Sequence, residues 1–382
     1  MILNKKIRKV IFLTGTRADF GKLKSLMQKL EQDPMFETHI FVTGMHMLSK
    51  YGSTADEVRK SGFKNIYKFI NQNVSDSMDH ILAKTVSGFS DYVKEMSPDL
   101  LVVHGDRIEA LAGGIVGALN NILVAHIEGG EVSGTIDEVI RHAVSKLSHL
   151  HFVSNETAKN RLIQLGEIKN NIHIIGSPDI DIMNSTTLPE LSSVMKRYAF
   201  NYSTYSILLF HPVTTDISNL QQHVRVVVDQ VISSGLNYIV IYPNNDFGTE
   251  IILDEYRRFD KNKNIKIFPS MRFEYFLTAL KNSNFIIGNS SAGIREAPHF
   301  GVPAINLGSR QKGRVECPLV LDTPIEESAI TSSIFQAISM KKEPSSLFGD
   351  GDSADKFYNI LKSDHFWDCS PQKYFVDQED QL

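Results

Sequence analysis

Short apolar runs alternate with longer amphipathic stretches along the whole chain. In the first half the apolar runs predict strands at Val10–Leu13, His39–Val42, Leu100–His104, Leu123–Ile127, Leu150–Val153 and His173–Ile175. Helical periodicity fills the gaps, at Gly21–Leu30, Ser77–Met96, Arg107–Leu119, Asp137–Leu147 and Glu156–Leu165. The second half repeats the plan with strands at Ile207–Phe210, Tyr238–Ile241, Ile265–Phe268, Phe285–Ile287 and Ala304–Leu307. Its helices are expected after Ser218, Asp246, Arg272 and Ser291. Such alternation predicts βαβ units and parallel sheets, an α/β fold. The break is expected within residues 178–205, which carry Pro178, Ser185-Thr186-Thr187 and Pro189. On this reading residues 1–185 and 186–365 form two α/β domains, and 366–382 form a C-terminal tail, polar and acidic after Ser370. Parallel sheets place ligands beyond their carboxyl edges, so a cleft between the halves is expected.

The length of 382 residues agrees with two domains, and a 42% hydrophobic fraction supplies two cores. A formal net charge of -4 offers no basic field for nucleic acid. Two distant cysteines, Cys317 and Cys369, fit neither a zinc site nor a disulfide framework and suit a reducing compartment. No run approaches the ~18 apolar residues of a membrane span. The expectation is a cytoplasmic protein without a membrane partner.

Polar clusters follow several of the predicted strands, where function sits in such sheets. After the first comes Gly15-Thr16-Arg17-Ala18-Asp19-Phe20-Gly21-Lys22. It looks like a Walker loop, but the glycine spacing and Leu23 after Lys22 exclude one. Arg17 is a candidate phosphate fork, or else a loop-stabilising arginine. Next come His104-Gly105-Asp106-Arg107 and His126-Ile127-Glu128-Gly129-Gly130-Glu131, then Asp137-Glu138 with Arg141-His142 at a helix start. Carboxylates gathered on one rim raise one another's pKa and become acids and bases useful near neutrality. Asp137 and Glu138 equally suit simple dipole complementarity. In the second half His211 follows a strand and precedes a proline, and Asn244 and Asp246 follow the next. The histidines show no metal-ligand spacing, and no dinucleotide fingerprint follows the first strand. No metal and no cofactor are expected.

The stretch Gly288-Asn289-Ser290-Ser291-Ala292-Gly293-Ile294-Arg295-Glu296-Ala297-Pro298 reads as a turn opening a helix. Free N–H groups at such a start suit a phosphate, while the bland reading is a serine cap. Glu296 is placed to reach a ribose hydroxyl, as acids do in other nucleotide sites.

Taken in order, these motifs, with Val42-Thr43-Gly44-Met45-His46, Phe210-His211-Pro212-Val213-Thr214 and Gly308-Ser309-Arg310-Gln311-Lys312-Gly313-Arg314, resemble the hydrolysing UDP-N-acetylglucosamine 2-epimerases of bacterial sialic acid synthesis. The resemblance covers about residues 8–365. It implies a glycosyltransferase-B-like fold, with two Rossmann-like domains and a C-terminal helix crossing back to the first. It implies hydrolysis of UDP-GlcNAc to ManNAc and UDP, in a homodimer or dimer of dimers. Asp106, Glu128 and Asp137 match carboxylates assigned to acid–base work. His211 matches a histidine near the diphosphate. Arg17, Ser290 and Ser291 match diphosphate contacts, Glu296 a ribose ligand, and Arg310 the loop on the nucleotide side. Asp19, Arg107, Glu131, Asn244 and Gly293 complete the expected UDP-sugar contacts. Ala18-Asp19 stands where the non-hydrolysing branch carries Pro-Glu, which favours the hydrolysing branch.

The implied chemistry suits the inventory. Elimination of UDP across C1–C2 gives 2-acetamidoglucal, and hydration from the opposite face inverts C2. That needs a base, an acid and donors on the departing diphosphate. The bond broken is C–O, so the reaction calls for no metal. A hydrolysing epimerase acting on UDP-N,N'-diacetylbacillosamine, a glycosyltransferase and a non-catalytic nucleotide-sugar sensor are the rival readings.

Overall fold

A computed structural model describes residues 6–49, 52, 54–73, 76–133, 136–186, 188–213, 216–243, 247–314 and 316–377. The chain divides into two compact units. The first comprises Met1–Glu131, Asp137–Asn184 and Gly349–Leu382, and the second Val132–Ile136 and Ser185–Phe348.

The strands of the first unit are β1 (Arg8–Thr14), β2 (Phe36–Val42), β3 (Asn65–Lys68), β4 (Leu100–His104), β5 (Leu123–Ile127), β6 (Leu150–Val153) and β7 (Ile172–Ile174). Its helices are α1 (Arg17–Glu31), α2 (Ala55–Lys60), α3 (Met78–Met96), α4 (Ile108–Leu119), α5 (Ile136–Leu147), α6 (Glu156–Gln164) and α7 (Pro178–Met183). The sheet is parallel, in the order β3-β2-β1-β4-β5-β6-β7. The order reverses direction between β1 and β4, so the chain leaves those two strands to opposite sides. That reversal opens a crevice beyond their carboxyl ends.

The second unit contains α8 (Leu191–Tyr198), β8 (Ser206–Leu209), α9 (Ile217–Ser233), β9 (Tyr238–Ile241), α10 (Thr249–Tyr256), β10 (Ile265–Phe268), α11 (Phe273–Lys281), β11 (Ile286–Gly288), α12 (Glu296–His299), β12 (Ala304–Leu307), β13 (Val320–Thr323) and α13 (Glu327–Ser339). Its sheet is also parallel, ordered β10-β9-β8-β11-β12-β13, with the reversal between β8 and β11. Two doubly wound parallel sheets are the glycosyltransferase-B-like fold class expected. Among the described residues no helix is long and apolar enough to cross a membrane.

The boundary of the second domain needs correction. Residues 353–362, included in it by the 186–365 bounds, form α14 (Ser353–Lys362) in the first unit, to which the resemblance has a C-terminal helix cross back. The helix buries Phe357 and Leu361 in the core beneath β1, β4 and β6. The rings of Phe357 and Phe152 meet at 4.7 Å. The described part of the tail, residues 366–377, belongs to the first unit. Lys373 Nζ donates to the Lys146 carbonyl at 2.9 Å and pairs with the buried Glu167 at 2.6 Å. These contacts tie the segment to the carboxyl end of α5.

Candidate active site and nucleotide site

In the first unit the candidate residues hang on the ends of β1, β4 and β5. Thr16 caps α1 and accepts from the Asp19 amide at 3.1 Å. Asp19 Oδ2 accepts from the Gly15 amide at 2.9 Å, while Oδ1 meets His104 Nδ1 at 3.0 Å. His104 Nε2 meets Glu128 Oε2 at 3.0 Å. Asp19, expected at the substrate, is thus turned toward its own loop and a histidine. Burial by itself would lower the His104 pKa. The Glu128 charge and the Asp19 hydrogen bond outweigh it and raise the value to about 9. His104 is therefore an imidazolium at neutral pH.

Glu128 is 2% exposed and adopts φ +64°, left-handed backbone that costs a non-glycine residue roughly 1–2 kcal/mol. Gly130 at φ +74° is forced by contact, since a Cβ there would lie 2.2 Å from the Ala158 carbonyl oxygen. This tight turn directs the Glu128 side chain under the β4 end. Asp106 is more open and pairs with Arg141 of α5. Arg141 also donates to the Glu128 carbonyl at 2.8 Å, so one guanidinium binds both loops together. Asp137 lies one helical turn ahead of Arg141 on α5. Glu131 accepts from Ser154 at 3.0 Å.

Two arginines are engaged with acids of the same unit. Arg17 meets Glu57 of α2 at 3.0 Å. Arg107 meets the buried Glu109 at 3.4 Å. Two other histidines of the motifs are structural. His46 bridges Thr14 at 3.1 Å and Thr54 at 2.6 Å. His126 joins the Gly105 carbonyl at 2.8 Å to Ser145 at 3.1 Å. Burial lowers their pKa values to about 4 and about 3.

These shifts set a pH dependence. His46 and His126 bind protons more weakly folded than unfolded, so stability falls as pH drops below 6.5 toward 4. His104 binds its proton more tightly folded, so its contribution is complete below 6.5 and is lost as pH rises through about 9. The melting temperature is expected to peak near pH 6.5, and His104→Gln is expected to flatten the alkaline arm. Calorimetric melts across pH check this; an alkaline arm unchanged in His104→Gln would refute the imidazolium.

In the second unit the candidates lie at the ends of β8 and β11. Asn289 clamps His211 through two main-chain bonds. Its Oδ1 accepts from the His211 amide at 2.7 Å, and its Nδ2 donates to the His211 carbonyl at 2.8 Å. Burial, then the Arg310 charge, holds the imidazole well below its usual pKa, so His211 is neutral. Arg310 donates to the Asn289 carbonyl at 3.1 Å. The helix expected after Ser291 is broken into two short pieces. Ser291–Gly293 is a single 3-10 turn, capped by Ser290, and α12 begins only at Glu296. Pro298 has no N–H to bond the Ile294 carbonyl, so a continuous helix would break there. The helix-dipole argument for phosphate at Ser290 and Ser291 therefore lapses. Gly293 and Glu296 are buried in this short segment. Asn244 and Asp246 lie outside the described residues.

The site brings in residues that the motif reading passed over. Lys22, dismissed with the Walker spacing, pairs with Asp179 at 2.7 Å and lies 3.7 Å from Glu128. Ser177 donates to Glu128 at 2.7 Å. Lys22 stands three residues after Asp19, on the same helical face, which was a usable signal. Ser177 and Asp179 carried none, because Asp179 lies in, and Ser177 just before, the stretch 178–205 in which the domain break was expected. Among the described residues no cluster of three or more ligands is arranged for a metal ion.

A family model described as UDP-N-acetylglucosamine 2-epimerase matches residues 28–362. A Neisseria meningitidis serogroup B protein described as a UDP-N-acetylglucosamine 2-epimerase is 47% identical, over 97% of this chain and 99% of its own. A Legionella pneumophila protein described as a hydrolysing UDP-N,N'-diacetylbacillosamine 2-epimerase is 33% identical, over 94% of this chain and 96% of its own. The crystal structure of a Neisseria meningitidis UDP-GlcNAc 2-epimerase bound to UDP-GlcNAc matches with a TM-score of 0.79 at 19% identity, covering 92% of this chain and 99% of that one. This last likeness is one of fold.

Proposed function

The chain belongs to the UDP-N-acetylglucosamine 2-epimerase family, and we propose that it is a hydrolysing member, turning UDP-GlcNAc and water into ManNAc and UDP for sialic acid synthesis. One observation carries the reading. Asp106 follows β4 and Glu128 follows the neighbouring β5, beside the switch point of the first sheet, while His211 and Ser290 follow β8 and β11 at the switch point of the second. Ala18-Asp19 and the relative described as hydrolysing favour this branch.

In this reading a base removes the C2 proton as the C1–O bond to the diphosphate breaks, giving 2-acetamidoglucal and UDP. Water then adds its oxygen at C1 while an acid delivers a proton to C2 from the opposite face. Asp106, Glu128 and Asp137 carry these transfers. In the second unit Glu296 takes the ribose, Ser290, Ser291 and Gly293 the diphosphate, and neutral His211 donates one N–H beside Arg310. Arg17 and Arg107 exchange their carboxylate partners for phosphate oxygens, which offer a guanidinium the same two-point geometry. Glu131 supports the sugar side, and Asp19 holds His104.

The experiment is NMR of the reaction in D2O. ManNAc carrying deuterium at C2, together with free UDP, is the expected product. Accumulation of UDP-ManNAc without free sugar would make the enzyme non-hydrolysing. Turnover with UDP-N,N'-diacetylbacillosamine alone would change the substrate, a reading that the Legionella relative keeps in view.

A further inference from the structure

Glu128 has almost no contact with solvent, yet it is surrounded by charge. One oxygen, Oε1, accepts from Ser177 at 2.7 Å. The other lies 3.0 Å from His104 and 3.7 Å from Lys22 Nζ. Lys22 in turn pairs with Asp179 at 2.7 Å, and Asp179 is completely buried. His104 is closed on its far side by Asp19. The line therefore alternates in sign: Asp19, His104, Glu128, Lys22, Asp179. It draws on α1, β4, the β5 turn and α7. From α5, Arg141 donates to the Glu128 carbonyl and pairs with Asp106.

We infer that Lys22 and Asp179 are positioning residues that set the ionisation of Glu128: Lys22 supplies the opposing charge, and Asp179 governs how much of it Glu128 receives. The inference rests on the reading of Glu128 as an acid–base group. Lys22 occupies the place of a phosphate lysine in a Walker-like turn, but its ammonium is turned inward onto two carboxylates. Asp179, beside the ammonium, adds a negative potential that offsets part of the ammonium's at Glu128. Without the Asp179 charge, the ammonium acts on Glu128 in full and holds it ionised to lower pH. Without the ammonium, Glu128 keeps its proton to higher pH. A merely structural pair would lower activity on loss of either member, without moving titrations in opposite directions.

The test uses the full chain with Lys22→Met, Asp179→Asn, Lys22→Arg and the double variant Lys22→Met/Asp179→Asn. The acid limb of the kcat/KM profile is expected to move up by about one pH unit in Lys22→Met, the scale of a nearby charge. It is expected to move down in Asp179→Asn and to stay near the wild-type position in Lys22→Arg. The double variant removes a buried pair together, a change that proteins often tolerate, and its limb should return toward wild type. That variant keeps the comparison with Asp179→Asn decisive if Lys22→Met does not fold. The His104 titration, read by long-range 1H–15N NMR, should shift in the same directions and needs no turnover. Failure of the proposed reaction would thus leave this readout intact. Shifts of one sign in both single variants, or none, would overturn the inference.

Discussion

Glu128→Gln is expected to lower turnover by about 10²-fold or more, the scale of a lost general acid–base group. The amide keeps the size of the side chain and most of its hydrogen bonds. What it removes is the negative charge between His104 and Lys22, leaving two cations facing a neutral group. Breaking a buried ion pair from one side typically costs about 3–5 kcal/mol, so the melting temperature should fall as well. Calorimetry with UDP separates the two effects, because the proposed ribose residue Glu296 and the proposed diphosphate residues Ser290, Ser291 and Gly293 belong to the other unit. A variant that binds UDP but does not turn over supports the assignment; wild-type turnover would remove Glu128 from the acid–base set. Asp106→Asn and Asp137→Asn are expected to lose turnover on the same scale. Whichever variant releases 2-acetamidoglucal has kept elimination and lost hydration, which would divide the roles.

Gly288→Ala is expected to destabilise the second unit by about 3 kcal/mol or more, as backbone strain and overpacking act together. Gly288 has φ +139°, which L residues rarely adopt. An added Cβ would also stand 2.0 Å from the Leu209 carbonyl oxygen. That atom is backbone of β8, paired directly with Gly288, and cannot rotate away. The strands must part, and the next residue is Asn289, which clamps His211. UDP affinity should therefore fall together with stability. Denaturant titration followed by a probe in each unit should show the transition of the second unit moving alone. A shift below about 1 kcal/mol would mean that the turn adapts and that glycine is not required there.

The interior strands of both sheets were legible from their apolar runs. β3 and β13 were not, and both are edge strands of four residues. An edge strand is covered on fewer sides, so its residues need not be apolar. Asn65–Lys68 accordingly carries half- to fully exposed positions. α7 was hidden by Pro178, read as part of a linker. At the first helical position proline loses nothing, since its missing N–H would have had no partner.

The sequence alone determined the alternation of strands and helices, the two-unit plan, the family and the polar clusters beyond particular strands. All of these are local or ordered along the chain, so spacing and motif record them. The resemblance implied that a C-terminal helix returns to the first domain, but what covers Phe357 and Leu361 of α14 was decided only in three dimensions, because an amphipathic helix records that it has an apolar face and not what covers it. The partners of the candidate residues were decided there too. Asp19 turns to His104, Arg17 to Glu57, and Lys22 to Asp179, across separations of 85, 40 and 157 residues. A carboxylate's protonation depends on charges a few ångströms away. In this fold those charges arrive on different strands and helices, where no local pattern can announce them.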